Sequence, residues 1–196
     1  MTLTVSPAPV TLSVSCWNAS FPFGGNYTCT NNVSSSAGAP QGTLNYSIDG
    51  TPLIATLNNG NVEFTVQKPN AGQHSVTIGF PAQGNFSAST TQIESYMVTQ
   101  APTQIQLTPS SYYQAVGANL TLTVSLTSWS AGSPSAGTVT FYDGTVPLGT
   151  STIGTGGTAS LSITTLAVGS HSLSAKFSGT TNFAAVSSGT ATIQIH

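Results

Sequence analysis

The chain has no arginine, and its only charged side chains are Lys68, Lys176, Asp49, Glu63, Glu94 and Asp143, 3% of 196 residues with a net charge of −2. Two lysines cannot neutralise a run of phosphates, so no nucleic-acid partner is expected. Electrostatic attraction to anionic lipid fails for the same reason. No apolar run approaches the ~18 residues of a membrane helix, so no membrane insertion is expected. No basic stretch followed by an apolar core marks a signal peptide; the chain is either not exported or is the mature or excised part of something longer. Two cysteines fall short of the four ligands of a structural zinc site. The four carboxylates are scattered. None faces another as glycosidase chemistry requires, and none clusters as a calcium site requires. There is no G-x-S-x-G elbow and no phosphate-binding loop. The expectation is a protein that is not an enzyme, with no cofactor and no metal.

What is present is apolar and β-forming. Hydrophobic residues make up 38% of the chain, with eight Phe and six Tyr spread along it. Disorder combines low hydrophobicity with high net charge, and neither holds here. Abundant Thr, Val, Ile and aromatics suit half-buried pleated surfaces. A surface so poor in charge has little protection against self-association, as in extracellular adhesins, stalks and fibres.

The chain repeats itself. Ala8-Pro9 recurs as Ala101-Pro102, a shift of 93, and the same shift carries Leu12 to Ile105, Val14 to Leu107, Gly24 to Gly117 and Asn26 to Asn119. Small insertions widen it: Gly42 matches Gly137, and residues 72–86 match 169–183 at a shift of 97. Two tandem units follow, residues 8–100 and 101–196, joined near Gln100-Ala101-Pro102-Thr103, with residues 1–7 in front. Within a unit the period is two. Leu120, Leu122, Val124 and Leu126 share one face, as do Val139 with Phe141, and His171, Leu173, Ala175 with Phe177. Short alternating runs broken by Asp143-Gly144, Asn59-Gly60 or Gly156-Gly157 predict antiparallel strands. About seven such strands per unit predict an all-β chain of two immunoglobulin-like sandwiches, arranged as a short rod.

The segments GTVTFYDGTVPLGTS (137–151) and LAVGSHSLSAKFSGTTNFAAVSS (166–188) resemble the bacterial Ig-like repeats of large surface and secreted proteins. The shared features are the G-x-V-x-F-Y-D-G strand and turn, the G-x-H-S strand start, and the aromatic-x-G-x-x-N-aromatic corner. The first unit carries NYSIDG and FPAQGNF at the matching places. The resemblance implies a tandem, extracellular, largely structural role without shared catalytic residues.

Residues Met1–Ser6 have a counterpart too. Leu3 and Val5 match Tyr96 and Val98 at a shift of 93, and those match Ile193 and Ile195 at 97. The segment thus corresponds to the closing strand of a unit, yet both units already have one. Thr2, Leu3, Thr4, Val5 and Ser6 are therefore the candidate assembly strand. They belong to a preceding repeat, or they are a donor that adds to the sheet edge of an identical subunit.

Several residues bear chemistry. Cys16, in phase with Leu12 and Val14, and Cys29, in phase with Tyr27, are on neighbouring strands within reach of a disulfide, which would fit an oxidising compartment; two buried free thiols are the alternative. His74 and His171 are equivalent and open the same strand. A pH switch is conceivable, but the inward phase favours a structural imidazole. His196 is terminal. Asn85 and Asn182, each before an aromatic, are expected to anchor turns. Asn18, Asn26, Asn32, Asn45, Asn85 and Asn119 head Asn-x-Ser/Thr sequons, a number that chance nearly supplies in so Ser- and Thr-rich a chain. Trp17, Phe21, Phe23, Tyr112, Tyr113 and Trp129 are expected to pack over the sandwich ends rather than to bind surface glycans. Together these features predict a secreted or cell-surface structural protein, a piece of stalk, adhesin shaft or filament, whose partners are neighbouring Ig-like repeats or identical subunits. A carbohydrate- or protein-binding accessory module is the alternative.

Overall fold

The structure is a computed structural model that describes residues 3–196. Two compact units are resolved by contacts. One comprises residues up to Phe21 with Gly25–Thr99, the other Pro22–Gly24 with Gln100–His196. Among the described residues every regular element is a strand.

The first unit is built from β1 (Thr11–Trp17), β2 (Ser20–Pro22), β3 (Asn26–Ser34), β4 (Thr43–Ile48), β5 (Thr51–Thr56), β6 (Asn61–Gln67), β7 (Gly72–Gly79) and β8 (Gln92–Thr99). One sheet has the order β1-β3-β6, the other β2-β8-β7-β4-β5. Alternation along β3 sends Tyr27, Cys29, Asn31 and Val33 inward, where they meet Leu44, Val76, Ile78, Tyr96 and Val98 of the facing sheet, all buried. Each large apolar side chain removed from water contributes roughly 1.5–3 kcal/mol, so this inward set supplies most of the driving force for the sandwich.

The second unit repeats the plan with β9 (Gln104–Pro109), β10 (Tyr113–Gln114), β11 (Leu120–Thr127), β12 (Thr138–Asp143), β13 (Val146–Thr152), β14 (Thr158–Ile163), β15 (Gly169–Phe177), β16 (Val186–Ser187) and β17 (Ala191–Ile195). Its sheets have the orders β14-β11-β9 and β10-β17-β15-β12-β13, with β16 beside β15. Leu120, Leu122, Val124 and Leu126 are buried against Phe141, Leu173, Phe177 and Ile193, as the period-two reading predicts. The strands it did not anticipate are the short ones, β2, β10 and β16, of two or three residues each.

The recurrence of Ala-Pro has a structural cause. Ala8 N–H donates to the Asn85 carbonyl at 2.8 Å, and Ser87 N–H donates to the Ala8 carbonyl at 2.9 Å. In the second unit Ala101 N–H donates to the Asn182 carbonyl at 2.8 Å, and Ala184 N–H returns to Ala101 at 3.0 Å. Each unit therefore begins by pinning its entry alanine to the corner that carries its Asn-Phe pair. Proline follows where no further N–H is required.

Candidate functional site

Among the described residues, Leu3–Pro7 belongs to no sheet. Leu3–Ser6 has no strand assignment, and Leu3 and Val5 are 86% and 82% exposed. Their repeat counterparts Tyr96 and Val98 are buried on β8. Two side chains that the repeat aligns with inward-facing positions thus stand in solvent. Thr2, the first residue of the candidate assembly strand, lies outside the described residues.

Cys16 and Cys29 face each other directly in the β1–β3 ladder and form a disulfide, with Cα atoms 4.1 Å apart. Strict pairing of adjacent antiparallel strands brings such positions into bonding range. The second unit has Pro109 opposite Leu122 at the corresponding place.

The histidines acquire partners that the sequence reading treated separately. His74 Nδ1 lies 2.6 Å from Asp49 Oδ2, and its Nε2 lies 2.8 Å from the Asn70 carbonyl oxygen. Asp49 Oδ1 accepts Ser75 N–H at 2.8 Å. His171 repeats this with Asp143 Oδ2 at 2.6 Å and the Ala167 carbonyl at 2.8 Å, and Ser172 N–H donates to Asp143 Oδ1 at 3.0 Å. Asp49 and Asp143 thus have a role beyond their turns: each clasps the histidine that opens the adjacent strand. The local reason is the hairpin. Asp49 and Gly50, both at positive φ, connect β4 to β5 in two residues, which places the Asp49 carboxylate over the start of β7.

The clasps shift the ionisation of both histidines and of Asp49. Partial burial pulls His74 down, but its hydrogen bonds to Asp49 and to the Asn70 carbonyl, with the Asp49 charge, outweigh it and raise the imidazole above its ordinary 6.5. In His171 the Asp143 hydrogen bond leads, the Ala167 carbonyl adds to it, and the result is again raised. Burial pushes Asp49 up, yet hydrogen bonds from His74 and Ser75 and the His74 charge hold it below its ordinary 3.8. The arrangement fixes a hairpin tip.

Among the described residues, two polar side-chain atoms in the core of the first unit have no partner. Asn31 Oδ1 and the Tyr96 hydroxyl are buried without a hydrogen bond. Burial pushes the Tyr96 phenol up to about 12, with added contributions from the Asp49 charge and Tyr27. Tyr96 stacks on Tyr27 at 3.9 Å and on the His74 ring at 5.0 Å. The repeat counterparts are Val124 and Ile193, both buried and apolar.

The aromatics divide. Phe21 is buried on β2 against Tyr96, and Phe23 is half-buried. Trp17, Tyr112, Tyr113 and Trp129 are exposed rather than packed over the ends, Trp129 most of all at 76%. Trp129 stands among Ser128, Ser130, Ala131 and Gly132, which are too small to cover it. Of the sequon asparagines, Asn18, Asn26, Asn45, Asn85 and Asn119 are exposed, and Asn32 is half-buried. Asn26 Oδ1 accepts Lys68 N–H, and Asn32 Nδ2 donates to Asn61 Oδ1. Asn45 also lines an open groove of about 500 Å³ in the first unit, together with Leu53, Ile54, Gly79, Phe80 and Pro81. The second unit has Lys176 where Gly79 stands. Among the described residues no three His, Cys, Asp or Glu side chains gather into a metal site, and no helix is long and apolar enough to cross a membrane.

Comparison with known proteins matches this picture of two like units. No curated protein is significantly similar to the chain. Among solved structures, invasin, described as a bacterial integrin-binding protein, aligns with 94% of this chain at 17% identity and a TM-score of 0.60. The adhesin InvE of Yersinia pseudotuberculosis aligns with 94% at 12% identity and a TM-score of 0.50. The chain spans 39% of the former and 58% of the latter, and at such identities the likeness is one of fold. The profile of the bacterial Ig-like domain (group 3) matches twice, over residues 4–99 and 106–196. The chain belongs to the bacterial Ig-like domain (group 3) family, as a tandem pair.

Proposed function

We propose that this chain is a non-catalytic structural segment of an extracellular stalk, adhesin shaft or surface filament, joined to its neighbours by strand addition through Thr2–Ser6. The observation that carries this reading is the third closing-strand sequence ahead of two complete sandwiches, with Leu3 and Val5 exposed in the inward phase. Apolar residues at alternate positions of an unpaired strand gain free energy by completing another sheet. The family, the adhesin-like fold and the Cys16–Cys29 disulfide support an extracellular place. Passage through an oxidising compartment is part of the proposal. The partner is either an upstream Ig-like repeat or a second copy of this chain. Deleting residues 1–7 tests it: concentration-dependent association of the chain should disappear in sedimentation velocity, and association that persists unchanged rejects strand addition. A second reading, an accessory module that binds surface glycans, is favoured by the exposed Trp129, Tyr112 and Tyr113. Glycan-array signals that vanish in Trp129→Ala would support it, and an array without hits would discard it.

A further inference from the structure

We infer that the acceptor of that strand is the β5 edge of the first unit, occupied by Leu3–Ser6 of a second copy of the chain. This rests on the strand-addition reading above and specifies its receiving surface. Both units end one sheet in the same strand, β5 in the first and β13 in the second, and the two edges differ. The β12–β13 ladder is broken by a bulge between Phe141 and Tyr142, and Leu148 of β13 packs against the core. Bulges are one of the devices that close an edge to further pairing. The β4–β5 ladder instead keeps an even register from Thr43↔Thr56 to Ile48↔Thr51. Its edge carries Leu53, 40% exposed, and Ile54, 69% exposed.

The phases fit. Leu53 lies opposite Tyr46, and Tyr46 stacks on Phe64 of the facing sheet at 4.5 Å, so Leu53 is on the inward side of β5 yet remains open to solvent. Leu3 and Val5 are in the inward phase of a strand that lacks a sheet. Placed beside β5, they cover Leu53 and extend the core by one strand. Thr4 then falls on the outer face beside Ile54. Leu3–Ser6 extended spans roughly 13 Å at about 3.3 Å per residue, within the reach of the six-residue β5. Charge also agrees. None of the chain's six charged residues lies in β5 or in residues 3–6, so no charge opposes the approach. Pro52 removes one donor from the edge and weakens the pairing without blocking it. A four-residue strand buries far less than the ~1,200 Å² of a stable interface, so single contacts are weak and gain strength by repetition along an assembly.

The test uses the full chain in sedimentation velocity over a concentration series, with circular dichroism to verify folding. Leu53→Lys and Ile54→Lys should each lower the association constant at least tenfold, as should deletion of residues 1–7. Val146→Lys on the β13 edge should leave it unchanged, and adding Leu53→Lys to the deletion should cost nothing further. Ile54→Lys carries the test if Leu53→Lys misfolds, since Ile54 is already largely in solvent. A wild-type chain that stays monomeric at every concentration overturns addition to a second copy, and the acceptor with it, and leaves only an upstream repeat as partner. Association lost on deletion but kept in both β5 variants overturns the acceptor and leaves strand addition standing. Association lost in the β5 variants but kept on deletion overturns the occupant, because the edge then pairs with something other than residues 3–6.

Discussion

His171 is held between two acceptors: Nδ1 faces Asp143 Oδ2 at 2.6 Å, and Nε2 faces the Ala167 carbonyl oxygen at 2.8 Å. His74 stands in the same way between Asp49 and the Asn70 carbonyl. A neutral imidazole has one N–H and can satisfy only one of these oxygens; the imidazolium satisfies both. The raised pKa of both histidines follows from that geometry.

A pH dependence with a definite sign results. A group whose folded pKa is raised contributes stability that is fully present below its unfolded value, near 6.5, and is lost as pH rises through the folded value. The depressed Asp49 works the other way: its contribution is present above about 3.8 and is lost as pH falls through its folded value. With only Glu63, Glu94 and two lysines as charged side chains outside the clasps, little competes with them. The thermal midpoint should therefore be highest between about pH 4 and 6 and decline from pH 6 to 8. The double variant His74→Gln/His171→Gln should be less stable at pH 5.5 and lose most of the decline above pH 6. A wild-type midpoint that stays level or rises from pH 6 to 8 contradicts the clasp.

The two unpartnered atoms of the first core make a second prediction. A buried polar group without a hydrogen bond costs about 1–3 kcal/mol. Tyr96→Phe removes one such hydroxyl and keeps the stack on Tyr27. Asn31→Val places the residue of the second unit at the matching position, at the loss of two long contacts from Nδ2, to the Cys29 carbonyl at 3.5 Å and the Val62 carbonyl at 3.4 Å. Tyr96→Phe should stabilise the first unit by about 1 kcal/mol, a rise of roughly 4–8 °C in midpoint for a domain of this size. Asn31→Val should be neutral or stabilising. A clear loss of stability in Tyr96→Phe would mean that the hydroxyl is satisfied after all.

Much of the fold was legible because its determinants are local in sequence. Alternation at Leu120, Leu122, Val124 and Leu126 states which face is buried, and Ala8-Pro9 against Ala101-Pro102 states where each unit starts. The phase of Cys16 and Cys29 put both on facing positions of neighbouring strands. What escaped needs three-dimensional register. Asp49 and His74 are 25 residues apart and meet only because Ile48 pairs with Val76 across β4 and β7. The D-G and G-x-H elements recur in both units and signal the clasp only when read as a pair. The strands β2, β10 and β16 are too short to show a period. Asn31, polar in an inward phase, carries no mark in sequence that it lacks a partner. Trp129, expected to pack over a sandwich end, stands 76% exposed, since loop packing has no periodicity to read.

Adjacent glycines supply a third prediction with its own control. Gly156 and Gly157 both adopt positive φ, 84° and 78°. A Cβ on Gly156 meets nothing, whereas one on Gly157 would stand 2.3 Å from the Leu126 carbonyl oxygen and 2.8 Å from Ser133 Cβ. Gly157 must stay close, since its own carbonyl accepts Leu126 N–H at 2.8 Å. Gly156→Ala should cost only the left-handed strain, about 1–2 kcal/mol. Gly157→Ala should cost distinctly more, because backbone has to move as well. Equal losses in denaturant unfolding would remove the steric argument.

The disulfide allows the two units to be weighed against each other. The bridge closes a loop with a sequence separation of 13, which restricts the unfolded chain by about 3 kcal/mol in the loop-entropy treatment. The second unit has Pro109 and Leu122 in its place and holds together by packing alone. Cys16→Ser/Cys29→Ser should thus weaken the first unit by about 3 kcal/mol and leave the second untouched. Hydrogen exchange resolves the two: amides of β3 should lose protection while those of β11 keep theirs. Joint loss in both strands would show that the sandwiches unfold as one cooperative body. In that case the bridge in the first unit would stabilise the whole tandem, and every stability change predicted above for one unit would be read in both.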